Sequence, residues 1–358
     1  MDKTITRTLL DLMEVFRDVL TAPGYRNFVV LVAGWVLTQG DHAVTQALVV
    51  TAVAERIHWE RYHRFFSRGT WNPDDLARLI ILRALQLQLS FASIEIAVDD
   101  TLAPKKGPHV FGLGTHVDAV RSTRKHRVFC FGHCWVTLAV LVRIPFSNRA
   151  WALPVLFRLY RTKKECAQHG AVYKKKTELA RELVALFAGW MGERRIELSA
   201  DSGYCNATVM KHLPDNVVLF GAMRPDSVLT APPAPRRGDQ RGRTPVRGEV
   251  LPKPEQLARD ERVPWQRCRA HLYGQATTVW FKTLCAQWYR AGGQRLLRIV
   301  VVKVTTGKVE LSVLFSTDTS LSPREVLEKY SGRWSLEIFQ PWCLYKSISE
   351  PGPSRLAA

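Results

Sequence analysis

Carboxylates placed at the ends of apolar runs are the residues of this chain best suited to chemistry. Asp99 and Asp100 close Ile94-Glu95-Ile96-Ala97-Val98, a run β-branched at Ile94, Ile96 and Val98. Asp201 closes Arg195-Ile196-Glu197-Leu198-Ser199-Ala200 in the same way, and Glu337 belongs to a late segment with helical character. Two adjacent carboxylates repel, so something cationic must balance them, and a hard divalent cation is one candidate because such ions take carboxylate oxygens. The competing reading of Asp99-Asp100 alone is a strand followed by a turn, with aspartate as turn former. Two strand-end aspartates that are sheet neighbours, with a glutamate from a helix packed beside them, would hold two divalent ions. Such a site activates water or a 3′-hydroxyl and stabilises the leaving oxygen in phosphodiester cleavage.

The totals agree with a polyanionic partner. Of 358 residues, 51 are Lys or Arg against 32 Asp or Glu, a formal net charge of +19. An excess of that size points to nucleic acid. Hydrophobic residues make up 46% of the chain, with 11 Trp and 15 Phe, enough to bury a sizeable core. The seven cysteines are scattered, which suits a reducing cytosol. Cys130 and Cys134, near His126 and His133, lie in an apolar strand-like run and read as core cysteines rather than zinc ligands. The apolar runs Phe28 to Leu37 and Trp135 to Val142 are too short to span a bilayer. No membrane partner is expected, and the expected location is the cytoplasm.

The elements that must position these carboxylates follow from periodicity. Residues 1–90 read as a helical N-terminal domain that could bind DNA. It has apolar faces at Thr8 to Phe16, Phe28 to Thr38 and His42 to Ile57, and Asn72-Pro73-Asp74-Asp75 is a helix start. From about 91 the pattern turns to strands: one that ends at Asp99-Asp100, a long apolar central strand over Phe129 to Ile144, and another at Trp151 to Leu159. An amphipathic helix from Thr177 to about Gly189 precedes the strand that ends at Asp201, and Val217 to Ala222 is a further strand. Residues 225–265 are rich in Pro and Arg and predict a mobile loop without a core. Strands resume at 266–285 and 295–316. Ser322-Pro323-Arg324-Glu325 is a capping pattern that opens the helix carrying Tyr330, Arg333, Trp334 and Glu337. The expected fold class is α/β: a mixed sheet flanked by helices, of the RNase H-like kind that the family resemblance of the motifs implies. Its first part spans 91–224, a mainly β insertion spans 225–316, the Glu-bearing helix spans 317–341, and an aberrant tail covers 342–358.

In this order the motifs resemble a known family, the DDE transposases of bacterial insertion sequences. The resemblance is to the group marked by Tyr, two residues, Arg, three residues, Glu, six residues, Lys. Tyr330, Arg333 and Glu337 reproduce the first three at that spacing. Val98-Asp99-Asp100-Thr101 resembles the Asp-x-Thr of the first strand end, which favours Asp99. One subgroup has Asp-Asp-Thr followed by Pro-Lys, which keeps Asp100 in view. Ala200-Asp201-Ser202-Gly203-Tyr204 resembles the second strand-end Asp with its Gly-Tyr. The resemblance implies a transposase that binds terminal inverted repeats and makes Mg²⁺- or Mn²⁺-dependent nicks with two ions, then transfers the freed 3′ end to target DNA. Asp99, Asp201 and Glu337 would be the metal ligands, with Asp100 as the alternate first ligand. Arg333, Tyr330 and Trp334 would meet DNA near the scissile bond. Arg124, Lys125 and Arg127, Lys174, Lys175 and Lys176, and Arg236 and Arg237 would contact phosphates. A homodimer on paired ends is also implied.

The sequence departs from that group at one point. The signature Lys falls on Leu344, Lys346 comes two residues late, and Pro341 would break a helix continuing past Glu337. The expectation is a truncated or frameshifted copy that keeps its acids. Its activity is therefore the open question, with a DNA-binding remnant or another RNase H-like nuclease as the alternatives.

Overall fold

In the first eighty-seven residues, apolar side chains recur at helical spacing, and Leu31, Leu48, Tyr62, Phe65 and Ile81 are buried. The computed structural model describes residues 3–40, 42–87, 93–107, 110–119, 121–123, 125–144, 147, 150–235, 242–303 and 311–336. The chain divides into two compact units, one ending at Leu87 and the other running from Gln88 to Ile338. Arg124, Arg236, Arg237, Glu337, Pro341, Cys343, Leu344, Lys346 and the tail lie outside the described residues.

The first unit contains α1 (Lys3–Met13), α2 (Ala22–Leu37), α3 (Val44–Val50), α4 (Glu60–Arg68) and α5 (Pro73–Leu87). The Thr21 hydroxyl caps α2 by accepting the Gly24 N–H at 3.2 Å. Its core joins Phe16, Tyr25, Leu31, Leu48, Tyr62 and Phe65. Gly34 lets α2 and α3 touch, since a Cβ there would lie 2.6 Å from the Ala47 carbonyl oxygen. The stretch expected to be helical to Ile57 stops at Val50, and turns follow it. A cleft of about 620 Å³ opens beside the α2 N-terminus, lined by Thr21, His58, Arg61, Arg64, Arg68 and Trp71 among others.

The second unit is built on a mixed sheet. Its elements, in order, are β1 (Ser93–Pro104), β2 (Gly114–Val117), β3 (Phe129–Arg143), β4 (Ala150–Tyr160), α6 (Lys163–Gln168), α7 (Lys176–Met191) and β5 (Arg195–Ala200). There follow α8 (Ala207–Met210), β6 (Val217–Met223), β7 (Leu229–Thr230), β8 (Val250–Leu251), α9 (Pro254–Arg259), β9 (Gln266–Leu272) and β10 (Gln275–Gln287). The last are α10 (Tyr289–Gly292), β11 (Leu296–Lys303), β12 (Leu311–Ser316) and α11 (Pro323–Ser331). β4, β3 and β1 form an antiparallel set, and β1, β5 and β6 then run parallel. This is the RNase H-like mixed α/β arrangement that the sequence predicts. β12 joins β6 antiparallel, β11 and β10 follow with each strand antiparallel to its neighbour, and β9 is hairpinned onto β10.

Two sequence expectations change here. β1 does not stop at the two carboxylates: it runs on to Pro104, because the long strand β3 offers it an antiparallel partner through Pro104↔Gly132. A pairing so distant in sequence leaves no local trace. The Pro/Arg-rich stretch is not all loop either. β7 pairs with β10 and β8, Leu229 and Thr230 are buried, and α9 forms over Pro254–Arg259. The buried Lys282 ammonium donates to the carbonyls of Leu257, Ala258 and Asp260, at 3.0, 3.1 and 2.7 Å, so a cation satisfies the C-terminal end of α9.

Two helices frame the parallel strands. α7 buries Leu179, Leu183 and Phe187, one per turn, and packs on β3 and β4. α11 buries Val326 and Leu327 against Phe220, Phe281, Val300 and Leu314. Its capping box forms as the sequence predicts: the Ser322 hydroxyl accepts the Glu325 N–H at 3.3 Å, and the Glu325 carboxylate accepts the Ser322 N–H at 2.8 Å.

Candidate active site

The parallel ladder between β1 and β5 ends at Val98↔Ala200. The next residue on each strand is an aspartate, so Asp99 and Asp201 stand side by side where the two strands separate. In open α/β sheets the crevice beyond the carboxyl ends of parallel strands is where ligands bind.

Strand alternation separates Asp99 from Asp100. Glu95, Ala97 and Asp99 share one face of β1, and the α11 side chains meet that face. Arg333, just past α11, reaches Asp99 Oδ2 at 3.4 Å, and Lys329 reaches Glu95 at 2.8 Å. On β5, Glu197 and Ser199 face the same way, with Glu197 2.5 Å from Lys329 Nζ and the Ser199 hydroxyl donating to the Lys329 carbonyl at 3.2 Å. Asp201 continues that alternation. It is fixed by its own turn, where its Oδ1 accepts the N–H groups of Gly203 and Tyr204 at 2.9 and 3.2 Å. Gly221 on β6 leaves the room this turn needs, since a Cβ there would lie 2.3 Å from Cys205 Sγ.

Asp100 points to the opposite face. Its carboxylate accepts from Lys176 Nζ at 2.6 Å, from the Tyr204 hydroxyl at 2.8 Å and from the Cys134 thiol at 3.5 Å. Burial works to lower the Lys176 pKa, but the Asp100 charge outweighs it, and the ammonium is held above its ordinary range. Burial and then the Asp100 charge push the Tyr204 hydroxyl far up, and the Cys134 thiol rises to about 12 for the same two reasons. None of these groups exchanges protons near neutrality, so they form a fixed brace at the N-terminus of α7.

Asp99 is different. Burial pushes its carboxyl up to about 7; the Asp100 N–H draws it down, the Asp201 charge adds to the rise, and Arg333 offsets part of it. A buried carboxyl beside a second carboxylate, balanced in part by one arginine, is a site short of positive charge. All-oxygen donors in that state fit a hard divalent ion. Among the described residues no three His, Cys, Asp or Glu side chains group as a metal centre, and Glu337 lies outside those residues.

The remaining predicted residues fall into two groups. Tyr330 and Trp334 lie with Arg333 at the end of α11. The Arg333 guanidinium lies 5.6 Å from the Tyr330 ring centre, and burial raises the Tyr330 hydroxyl pKa. The Trp334 ring meets Tyr273 edge-on at 5.4 Å. Tyr273 had no sequence signal of its own. It sits in the two-residue β9–β10 turn with φ +54°, followed by Gly274 at φ +82°. Lys125, Arg127 and Lys175 are exposed, and Lys174 pairs with Glu182 at 2.7 Å on the surface. Lys176, predicted to meet phosphate, is instead committed to Asp100. Glu95 and Glu197 also escaped the sequence reading. Their signal was a charge inside an apolar strand, four residues before each aspartate.

A family model described as DDE superfamily endonuclease matches residues 15–279, well over half of the chain. No curated protein matches it. Among the described residues no helix is long and apolar enough to cross a membrane.

Proposed function

This chain belongs to the DDE superfamily endonucleases, and on that footing we propose that it is a transposase which binds terminal inverted repeats, nicks them and transfers the freed 3′ end to target DNA. The observation that carries the reading is the placement of Asp99 and Asp201 at the adjoining ends of two parallel strands, on the face that receives α11. Membership of the family implies DNA as substrate and divalent metal as cofactor.

Asp99 and Asp201, with Glu337, would hold two Mg²⁺ or Mn²⁺ ions. Bound there, the metal supplies a nucleophilic oxygen at neutral pH and stabilises the leaving 3′-oxygen. Asp99 is the first ligand in this reading, and Asp100 has a structural role. Arg333, with its side chain only 14% exposed, holds Asp99 and, by the family resemblance, would lie near the scissile phosphate. Tyr330 and Trp334 flank it as polar and aromatic contacts for DNA. Lys125, Arg127, Lys174 and Lys175, with Arg124, Arg236 and Arg237, would supply backbone phosphate contacts. In the N-terminal unit the cleft lined by Arg61, Arg64 and Arg68 suits the same phosphate chain. A homodimer on paired ends and a site of action at the bacterial nucleoid complete the proposal.

The test is Mg²⁺-dependent nicking of a duplex carrying the element's own end, with Asp201→Ala alongside. Nicking at the end that disappears in the variant supports the reading. Binding of the end without nicking by either protein selects a DNA-binding remnant, consistent with Leu344 in place of the signature Lys. Nicking governed by DNA shape regardless of end sequence selects another RNase H-like nuclease.

A further inference from the structure

We propose that Lys329 is a positioning residue that fixes the register of α11 against the two aspartate-bearing strands. This inference rests on reading Asp99 and Asp201 as the catalytic pair.

The geometry is specific. Lys329 Nζ lies 2.8 Å from Glu95 on β1 and 2.5 Å from Glu197 on β5, so a single ammonium bridges the neighbouring parallel strands. Glu95 and Glu197 are opposite one another in the β1–β5 ladder, and each stands four residues before its strand's aspartate, on the same face. The backbone of Lys329 is held as well. Its carbonyl accepts the Ser199 hydroxyl at 3.2 Å and the Gly332 N–H at 3.2 Å. Lys329 is therefore pinned at both its head and its carbonyl, where the regular helix ends and the chain tightens into Arg333, whose N–H bonds back to the Tyr330 carbonyl at 3.1 Å. Arg333 is four residues on and reaches Asp99. The Lys329 ammonium meets the strands at Glu95 and Glu197, two same-face positions before the aspartates, and Arg333 meets Asp99 itself.

Charge explains why the bridge is a lysine. Glu95 and Glu197 are mostly buried and repel each other without it. Burial alone would raise the Glu95 pKa; the Lys329 charge reverses that and holds it below the ordinary range. Burial works to lower the Lys329 pKa, and the two carboxylates raise it instead. A compact ammonium can sit between two carboxylates on adjacent strands, whereas an apolar side chain would leave Glu95 with Arg143 at 3.3 Å and Glu197 with Arg195 at 3.4 Å, and neither arginine bridges the two strands. The hydrophobic contacts of Val326 and Leu327 hold α11 onto the sheet but permit sliding along it. The Glu328 carboxylate ties α11 to β9 by accepting the His271 N–H at 2.9 Å, and the directional contacts of Lys329 fix where along β1 and β5 it stops.

The test compares Lys329→Met, the triple neutral variant Lys329→Met/Glu95→Gln/Glu197→Gln, Lys329→Arg and Ser199→Ala, using the full chain and end DNA. The readouts are thermal stability, DNA affinity, nicking rate at saturating DNA, and Mn²⁺ binding by the protein–DNA complex read by EPR. The triple variant removes all three charges together, so it escapes the folding penalty of Lys329→Met. Its expected result is near-normal stability and DNA affinity, a nicking rate about 100-fold lower, the scale of an ångström-level misplacement, and weakened Mn²⁺ binding. Lys329→Arg recovers most of the rate, and Ser199→Ala loses a few-fold with little change in stability. A triple variant that nicks and binds Mn²⁺ like the parent overturns the proposal. Should the triple variant not fold, an unchanged rate in Ser199→Ala together with full loss in Lys329→Arg overturns it equally. Asp201→Ala is run in parallel: if that variant still nicks, the catalytic reading itself has failed, which is a different result.

Discussion

Asp99 and Asp100 are neighbours in sequence, yet the sheet puts them in different chemical settings. On the α11 face, Asp99 has Arg333 at 3.4 Å and the charge of Asp201 nearby, and its carboxyl titrates at about 7. On the α7 face, Asp100 is held by Lys176, Tyr204 and Cys134 in a closed network. One face keeps a carboxylate short of positive charge, and the other supplies that charge from its own helix. A group left under-compensated by the protein has capacity for a ligand, whereas a fully satisfied one holds the fold together. The two faces thus divide the work that the Asp-Asp pair suggested as a single feature.

The largest effect should come from exchanging the two roles. Asp99→Asn is expected to lower end nicking at least about a thousand-fold, the scale of losing a principal electrostatic element of an active site. Asp100→Asn should keep most of the rate, because the amide still accepts from Tyr204. Gel assays on the same duplex decide this, and equal losses in the two variants would erase the distinction between the faces.

The second effect is on stability against pH. The folded pKa of Asp99 lies above its ordinary value of 3.8. Asp99 therefore holds its proton more tightly in the native protein than in the unfolded chain between about 4 and about 7. Stability of the metal-free protein should fall as pH rises through that window and level off above it, by up to about 4 kcal/mol from this one group. Asp99→Asn should flatten the slope and be the more stable protein at pH 8 in EDTA. Denaturant melts at pH 5 and pH 8 measure it, and parallel slopes for the parent and the variant would show that Asp99 is compensated after all.

Much of this was legible in the sequence, for physical reasons. A short strand-like run with Ile196 and Leu198, closed by aspartate, marks a strand end at Asp201, and Ser322 with Glu325 marks the start of α11, because both signals are local. The choice between Asp99 and Asp100 was not legible. Alternation says that they face opposite ways, but not which helix covers which face. The extension of β1 to Pro104 depends on a partner strand more than thirty residues away, at Gly132, and the order of β7 and β8 depends on β10. Lys176 read as one of three surface lysines, and only the fold shows that its partner is Asp100. Glu95 and Glu197 were visible as charges in apolar strands, but without a cation in the same sequence window they had no assigned purpose.

A third effect separates the faces by stability alone. Asp100→Asn breaks the ion pair with Lys176, in which the two side chains are 29% and 33% exposed. Breaking a fully buried pair costs about 3–5 kcal/mol; with solvent partly screening this one, about 2 kcal/mol is expected. The loss should appear in denaturant melts without a matching loss of nicking.

The smallest effect tests how far the α7 face reaches toward the other. Tyr204 donates to Asp100 through its hydroxyl, while its backbone N–H supports Asp201. Tyr204→Phe removes only the first contact and fills the same space. Asp100 retains Lys176, so the cost should be about 1 kcal/mol of stability, the net value of one hydrogen bond. Nicking should stay within a few-fold, because the turn that holds Asp201 depends on the backbone of Tyr204 and Gly203 and not on the hydroxyl. A loss of nicking as large as that of Asp99→Asn would mean that the Tyr204 hydroxyl places Asp201 through Asp100. The two faces would then act as one coupled site, and the brace under α7 would belong to the catalytic machinery.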